Sequence, residues 1–102
     1  MDMKDYRQRI DQIDAELVRL FRERMETARD IANYKKANGL PILDAGRERE
    51  KLSQVCGMMP TELRNYTSVL YSSLFELSRS YQTHQMENYT DLSEKITGAI
   101  EN

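Results

Sequence analysis

The amino-acid sequence predicts an all-α chain of three helices, the first of them unusually long, that pairs with a second copy into an intertwined homodimeric helix bundle. Three observations carry that prediction. Apolar residues recur at three- and four-residue spacing over about 35 consecutive positions, the period of a helix face rather than of a strand. Two sets of breakers, Asn38-Gly39 with Pro41 and Gly57 with Pro60, divide the rest of the chain into two further segments of helical length. The 102 residues are 39% apolar and 31% charged, the balance of one soluble helical domain.

The first helix is expected from about Lys4 to Asn38, with Tyr6, Ile10, Ile13, Leu17, Leu20, Ala28 and Ile31 on one side. Gly39 suits the left-handed cap that ends it, and Pro41 cannot continue the hydrogen-bond ladder. At roughly 1.5 Å per residue such a helix is about 50 Å long, more than a single small globule covers. A second helix opens at Asp44, whose side chain can cap the first free backbone N–H groups, and runs to about Cys56 with Leu52 and Val55 inward. The third spans about Thr61 to Met86 and sets Leu63, Tyr66, Leu70, Leu74, Leu77 and Tyr81 on one face. Residues 1–86 make the domain. Residues 87–102 are polar, with only Leu92, Ile96 and Ile100 in helical register, and are expected to be a tail or an interdomain linker. Three helices with one apolar stripe each leave surface that only a partner can cover, so the long helices are expected to pack against those of a second copy. An extended coiled coil is the alternative, but the breaks at Gly39 and Pro60 divide the chain as a bundle does.

Charge and motifs exclude several classes of function. The 17 acidic and 15 basic side chains are mixed along the sequence, so no basic face for nucleic acid is evident. No stretch approaches the roughly 18 apolar residues of a membrane span. Cys56 has no cysteine to pair with, and the start Met-Asp-Met-Lys-Asp lacks the apolar segment of a signal peptide, which leads to a cytoplasmic expectation. His84 has no second His or Cys at metal spacing, and neither a nucleophile triad nor a glycine-rich phosphate loop is apparent, so no cofactor is expected.

Two charges do not fit a purely structural reading. At 100° per residue, with Ile10 as zero, Ile13, Leu17, Leu20 and Ile31 fall between about 280° and 340°, and so do Arg24 and Lys35. An unpaired charge on a core-facing stripe costs several kcal/mol, so each cation needs an anionic partner, a route to solvent or an anionic ligand. The two lie about 16 Å apart along the helix, close enough for long side chains to converge on one small molecule. Arg7 lies about 25 Å before Arg24 and cannot easily serve the same site, although in a dimer of antiparallel long helices it could reach a partner's. Asp44, Arg47 and Glu48 cluster at the start of the second helix, where a cap and ordinary solvated charges also explain them. Ser78 and Gln82 stand one turn apart beside the third stripe.

The runs Arg7-Gln8-Arg9-Ile10-Asp11-Gln12-Ile13-Asp14-Ala15-Glu16-Leu17, Arg22-Glu23-Arg24-Met25 and Ile31-Ala32-Asn33-Tyr34-Lys35-Lys36 resemble the first helix of the all-helical chorismate mutases. Gly39-Leu40-Pro41-Ile42-Leu43-Asp44 with Arg47-Glu48-Arg49-Glu50 resembles the family's loop and second helix, and Glu76-Leu77-Ser78 with Gln82 resembles the end of its third. The resemblance covers about residues 4 to 86. It implies rearrangement of chorismate to prephenate, with chorismate a dianion whose ether oxygen gains negative charge as its C–O bond breaks. It implies further that Arg24 and the partner's Arg7 grip the carboxylates, assisted by Arg47 and Ser78. Lys35 and Gln82 would point at the ether oxygen, and Asp44 and Glu48 would hold the ring hydroxyl. Lys35, Gln82 and Arg24 are thereby the expected catalytic groups, and Arg7, Asp44, Arg47, Glu48 and Ser78 complete the binding set.

The tail, ending Thr97-Gly98-Ala99-Ile100-Glu101-Asn102, resembles the start of the linker that joins such a mutase to a prephenate dehydratase domain, so a fused domain after residue 102 is a further expectation. Two readings compete with the enzyme. One is a non-catalytic interaction module in which Arg24 and Lys35 pair with Asp14, Glu23 or a partner's acids; the other is a module that senses an aromatic-pathway ligand for a fused enzyme. Turnover of chorismate separates the enzyme from both.

Overall fold

A computed structural model describes residues 1–86, and the tail from residue 87, with Leu92, Ile96 and Ile100, lies outside the described residues. Helix α1 spans Met3–Ala37, α2 spans Ala45–Gly57, and α3 spans Arg64–Met86, preceded by a single 3₁₀ turn at Thr61–Leu63. The expected three-helix chain with a long first helix is what forms.

Local chemistry fixes the ends of these helices. Asp2 caps α1 by accepting from the Asp5 backbone N–H at 3.0 Å while the Asp5 carboxylate accepts from that of Asp2 at 3.1 Å, so two orphan donors are satisfied reciprocally. At the other end Gly39 adopts φ 65°, and the Leu40 N–H donates back to the Lys35 carbonyl at 2.9 Å. That closing bond needs a left-handed residue, which glycine supplies without a Cβ penalty. Asp44 caps α2, accepting from the Arg47 N–H at 3.0 Å. The third helix begins three residues later than the spacing predicts. Pro60, at φ −56° and ψ 148°, starts the 3₁₀ turn instead, closed by the Leu63 N–H on the Pro60 carbonyl.

Helix α3 packs against both α1 and α2, which do not approach each other directly. Where it meets α1, the buried side chains are small: Ala28 and Ala32 on α1, with Phe75 as the one large apolar group buried on α3. The remaining buried positions of α3 are Thr67, Ser78 and Gln82. This departs in part from the expected inward stripe, of which Leu74 and Tyr81 are half-buried and Leu63, Tyr66, Leu70 and Leu77 exposed. Within one chain Tyr66, Leu70 and Leu77 are 74%, 54% and 48% exposed, and the face turned to α1 and α2 is the more polar one beside it. Leu52 and Val55 of α2 are half-buried, as expected.

Residues 1–23 bury nothing: every one of them is exposed, the apolar stripe of α1 included. The radius of gyration is accordingly 17.8 Å, against about 12 to 13 Å for a compact chain of this size.

Candidate active site

The second half of α1, the first turns of α2 and the end of α3 enclose a pocket of about 650 Å³. Its apolar walls are Leu20, Ala28, Ile31, Ile42 and Phe75. Around them stand five cations, Arg24, Lys35, Arg47, Lys51 and Arg79, against three carboxylates, Glu23, Asp44 and Glu48. The lining therefore carries a formal charge of plus two, in a chain whose net charge is −2. Seven of the eight residues singled out in the sequence, Arg24, Lys35, Asp44, Arg47, Glu48, Ser78 and Gln82, line this one pocket. Arg7 does not; it lies on the exposed half of α1.

The two cations of the α1 stripe are held by different elements. Arg24 donates from Nη1 to the Ser78 hydroxyl at 2.7 Å, and its guanidinium lies 5.9 Å from the centre of the Phe75 ring. Both contacts come from α3, so the packing of α3 on α1 aims the guanidinium. Lys35 donates from Nζ to the Ile42 carbonyl at 2.6 Å. The loop after Gly39 folds back over its own helix end to supply that acceptor, and the ammonium is held half-buried at the pocket edge with two further protons to offer.

Helix α2 delivers its polar residues through its first turns. Asp44 spends one carboxylate oxygen on its cap. Arg47 pairs loosely with Glu50 at 3.4 Å and stays largely exposed. Glu48 reaches across to α3, where Nη1 of Arg79 donates to both of its oxygens; the Glu48 side chain is 25% exposed and that of Arg79 33%. Gln82 is 7% exposed, and its Oε1 is buried without a hydrogen-bond partner among the described residues. A buried amide oxygen left in this way costs on the order of 1 to 3 kcal/mol, which marks the position as one shaped for something other than stability.

Sequence reasoning did not find Arg79, Lys51, Thr27 or Phe75 as lining residues. Arg79 and Glu48 are 31 positions apart, and no periodicity within either helix signals that they meet. Phe75 lies about 100° off the apolar stripe expected for the third helix, so its spacing did not mark it as inward.

A family model described as chorismate mutase type II matches residues 6–83, most of the chain. The chain belongs to that family. Among curated proteins, a chorismate mutase of Methanocaldococcus jannaschii is 26% identical over 96 residues, covering 91% of this chain and 96% of the relative. No solved structure matches. A chorismate mutase is an isomerase that converts chorismate to prephenate, and this is the activity of the chain. No described helix is long and apolar enough to cross a membrane.

Proposed function

We propose that the pocket between α1, α2 and α3 binds chorismate and carries out its pericyclic rearrangement, with Arg24, Lys35 and Gln82 as the catalytic groups. The observation that carries this reading is the charge of the pocket: a lining of plus two around an apolar floor suits a compact dianion. The reaction needs no nucleophile. It needs the flexible enolpyruvyl arm held over the ring and a preorganised donor where the ether oxygen gains charge. Arg24 grips a carboxylate through its planar fork, helped by Ser78 and Arg47. Lys35 and the Gln82 amide donate to the ether oxygen, and Asp44 and Glu48 hold the ring hydroxyl, which has one proton to donate.

The second carboxylate falls to Arg7 of a second copy. The bare stripe of α1 supports this role, since Tyr6, Ile10 and Leu17 are each more than half exposed, an apolar surface of the kind that marks an interface. Two antiparallel α1 helices would cover it and bring each Arg7 to the other chain's pocket. Residues 1–86 are then the catalytic unit and 87–102 a tail, in a cytoplasmic protein. A prephenate dehydratase domain after residue 102 rests on the tail's resemblance alone, and the reading frame beyond Asn102 tests it. For the activity, the experiment is the loss of chorismate absorbance with the purified chain. Saturable turnover well above the uncatalysed rate is expected, and a chain that binds but does not convert chorismate overturns the proposal in favour of a sensing module.

A further inference from the structure

Beside the main pocket lies a second cavity of about 450 Å³, formed on the α3 side by Ser68, Ser72 and Ser73. Glu48, Phe75 and Arg79 line both cavities, so the Glu48–Arg79 pair stands in the partition between them. The Glu48 carboxylate thus has two spaces open to it. Of the cations on its own helix, Arg47 bonds Glu50 at 3.4 Å, Lys51 bonds Gln54 at 2.8 Å, and Arg49 lines neither cavity. The tether that remains is Arg79, reaching from α3 to both carboxylate oxygens.

From this geometry we infer that Arg79 is a positioning residue for the rearrangement: it neutralises Glu48 and holds its carboxylate in the partition, so that Glu48 accepts the ring hydroxyl of the substrate. The inference rests on the reading of the pocket as the chorismate site. A dianion entering the main pocket repels an untethered Glu48, and Glu76 lines the second cavity, so without Arg79 no one position of the carboxylate is favoured and the hydroxyl loses one of its two carboxylates. With Arg79 in place the repulsion is offset. Each oxygen of Glu48 has more than one lone-pair site, so accepting from Arg79 leaves room to accept from the hydroxyl as well. Arg79 itself need not touch the reacting atoms.

The test compares chorismate with its analogue lacking the ring hydroxyl, read as a substrate or as a competitive inhibitor, on the full chain and on Arg79→Met, Arg79→Lys and Glu48→Gln. Arg79→Met is expected to lower kcat/KM on chorismate by about tenfold to a hundredfold, the scale for a misplaced contact in a preorganised site, and to leave the analogue within about twofold. Both bonds to Glu48 come from Nη1 alone, so Arg79→Lys keeps a single charged donor on a shorter stem and should lose only part of that factor, and on chorismate alone. Arg79→Met combined with Glu48→Gln should be no worse than Glu48→Gln. Equal losses on both compounds would show a tie between helices and nothing more, and an unchanged rate on chorismate would likewise overturn the inference. If Arg79→Met does not fold, judged by circular dichroism, the same discrimination is read from Arg79→Lys. A native chain inactive on chorismate overturns the reading of the pocket itself, a different outcome from an active chain indifferent to Arg79.

Discussion

From Met3 to Glu23, helix α1 presents Tyr6, Ile10, Ile13 and Leu17 with between 38% and 56% of each exposed; from Arg24 to Lys35 the continuing stripe holds two cations that are partly buried. A single chain left to the hydrophobic effect alone would do the reverse, covering the first half and leaving the charges to water. The inversion makes sense when each half is completed by something outside the chain. An apolar stripe is completed by another apolar surface, and a cationic pocket by an anion. The proposed assembly supplies both: a second copy for the first half and chorismate for the second. One helix then serves as scaffold at one end and as site wall at the other.

Cutting the polar half at its strongest point should give the largest effect. Lys35→Ala removes a donor aimed into the pocket and is expected to lower turnover by at least about a hundredfold. Its melting temperature should move by only a few degrees, since the lost bond to the Ile42 carbonyl is worth about 1 kcal/mol. A variant that unfolds while its folded fraction keeps full specific activity would turn Lys35 into a structural ion and break the comparison. Arg24→Ala serves the same test from the α3 side.

Gln82 offers a smaller effect with a fixed sign. Its amide does not titrate, so turnover of the native chain should be nearly flat between about pH 5 and 8. Gln82→Glu can donate to the ether oxygen only while protonated, and its ionised form sets a negative charge beside an oxygen that is becoming negative. Turnover of the variant should therefore fall as pH rises through the pKa of the new carboxyl, by about tenfold or more across that window. A glutamate variant equally active at both ends would remove Gln82 from that role.

The apolar half is tested through Arg7. Inactive Arg7→Ala and inactive Lys35→Ala, mixed under subunit exchange, should recover about a quarter of the native activity, because half of the dimers are mixed and each holds one intact site. No recovery after exchange proven by an affinity tag carried on one variant would separate the two halves of α1 into unrelated features.

The smallest effect lies on the exposed surface of the same half. Arg19 donates to Glu16 at 2.8 Å and to Glu23 at 2.9 Å. The hydrogen bond and the charge of Arg19 hold the Glu16 carboxyl below its ordinary range, while Glu16 keeps Arg19 above its own. A lowered folded-state pKa contributes stability that is present above the unfolded value and disappears as pH falls through the folded one. Glu16→Gln should thus lower the melting temperature slightly at neutral pH, since fully solvated pairs are worth little, and by progressively less as pH falls through the folded value. A large drop at neutral pH would place Glu16 inside an interface instead.

Much of this arrangement was legible in the residues. The spacing of Ile10, Ile13, Leu17 and Leu20 implied a long helix, Gly39 marked its end through a left-handed conformation that few other residues take, and Asp44 marked the next start through its capping carboxylate. The stranded positions of Arg24 and Lys35 pointed to a pocket. Helix α3 was harder to read. Hydropathy selects Tyr66, Leu70 and Leu77, yet in the single chain the inward face is Thr67, Phe75, Ser78 and Gln82. Periodicity finds apolar contacts; a helix that lines a polar pocket with one face and offers apolar residues on another shows the second more loudly than the first. The Arg79–Glu48 pair joins two helices at a distance in sequence that no local pattern spans, so only the fold reveals it.

Ala28 and Ala32 are 4% and 1% exposed, and Ala28 lines the pocket. They act as a ruler. Helices separated by alanine sit at the near end of the usual 8 to 10 Å spacing, and any longer side chain at either position would have to push α3 outward. The width of the pocket is therefore set less by the residues that reach into it than by two that cannot. Enlarging a lining residue other than Ala28 leaves this gauge intact, whereas a longer side chain at Ala28 or Ala32 would shift α3, and with it the wall that carries Ser78, Arg79 and Gln82.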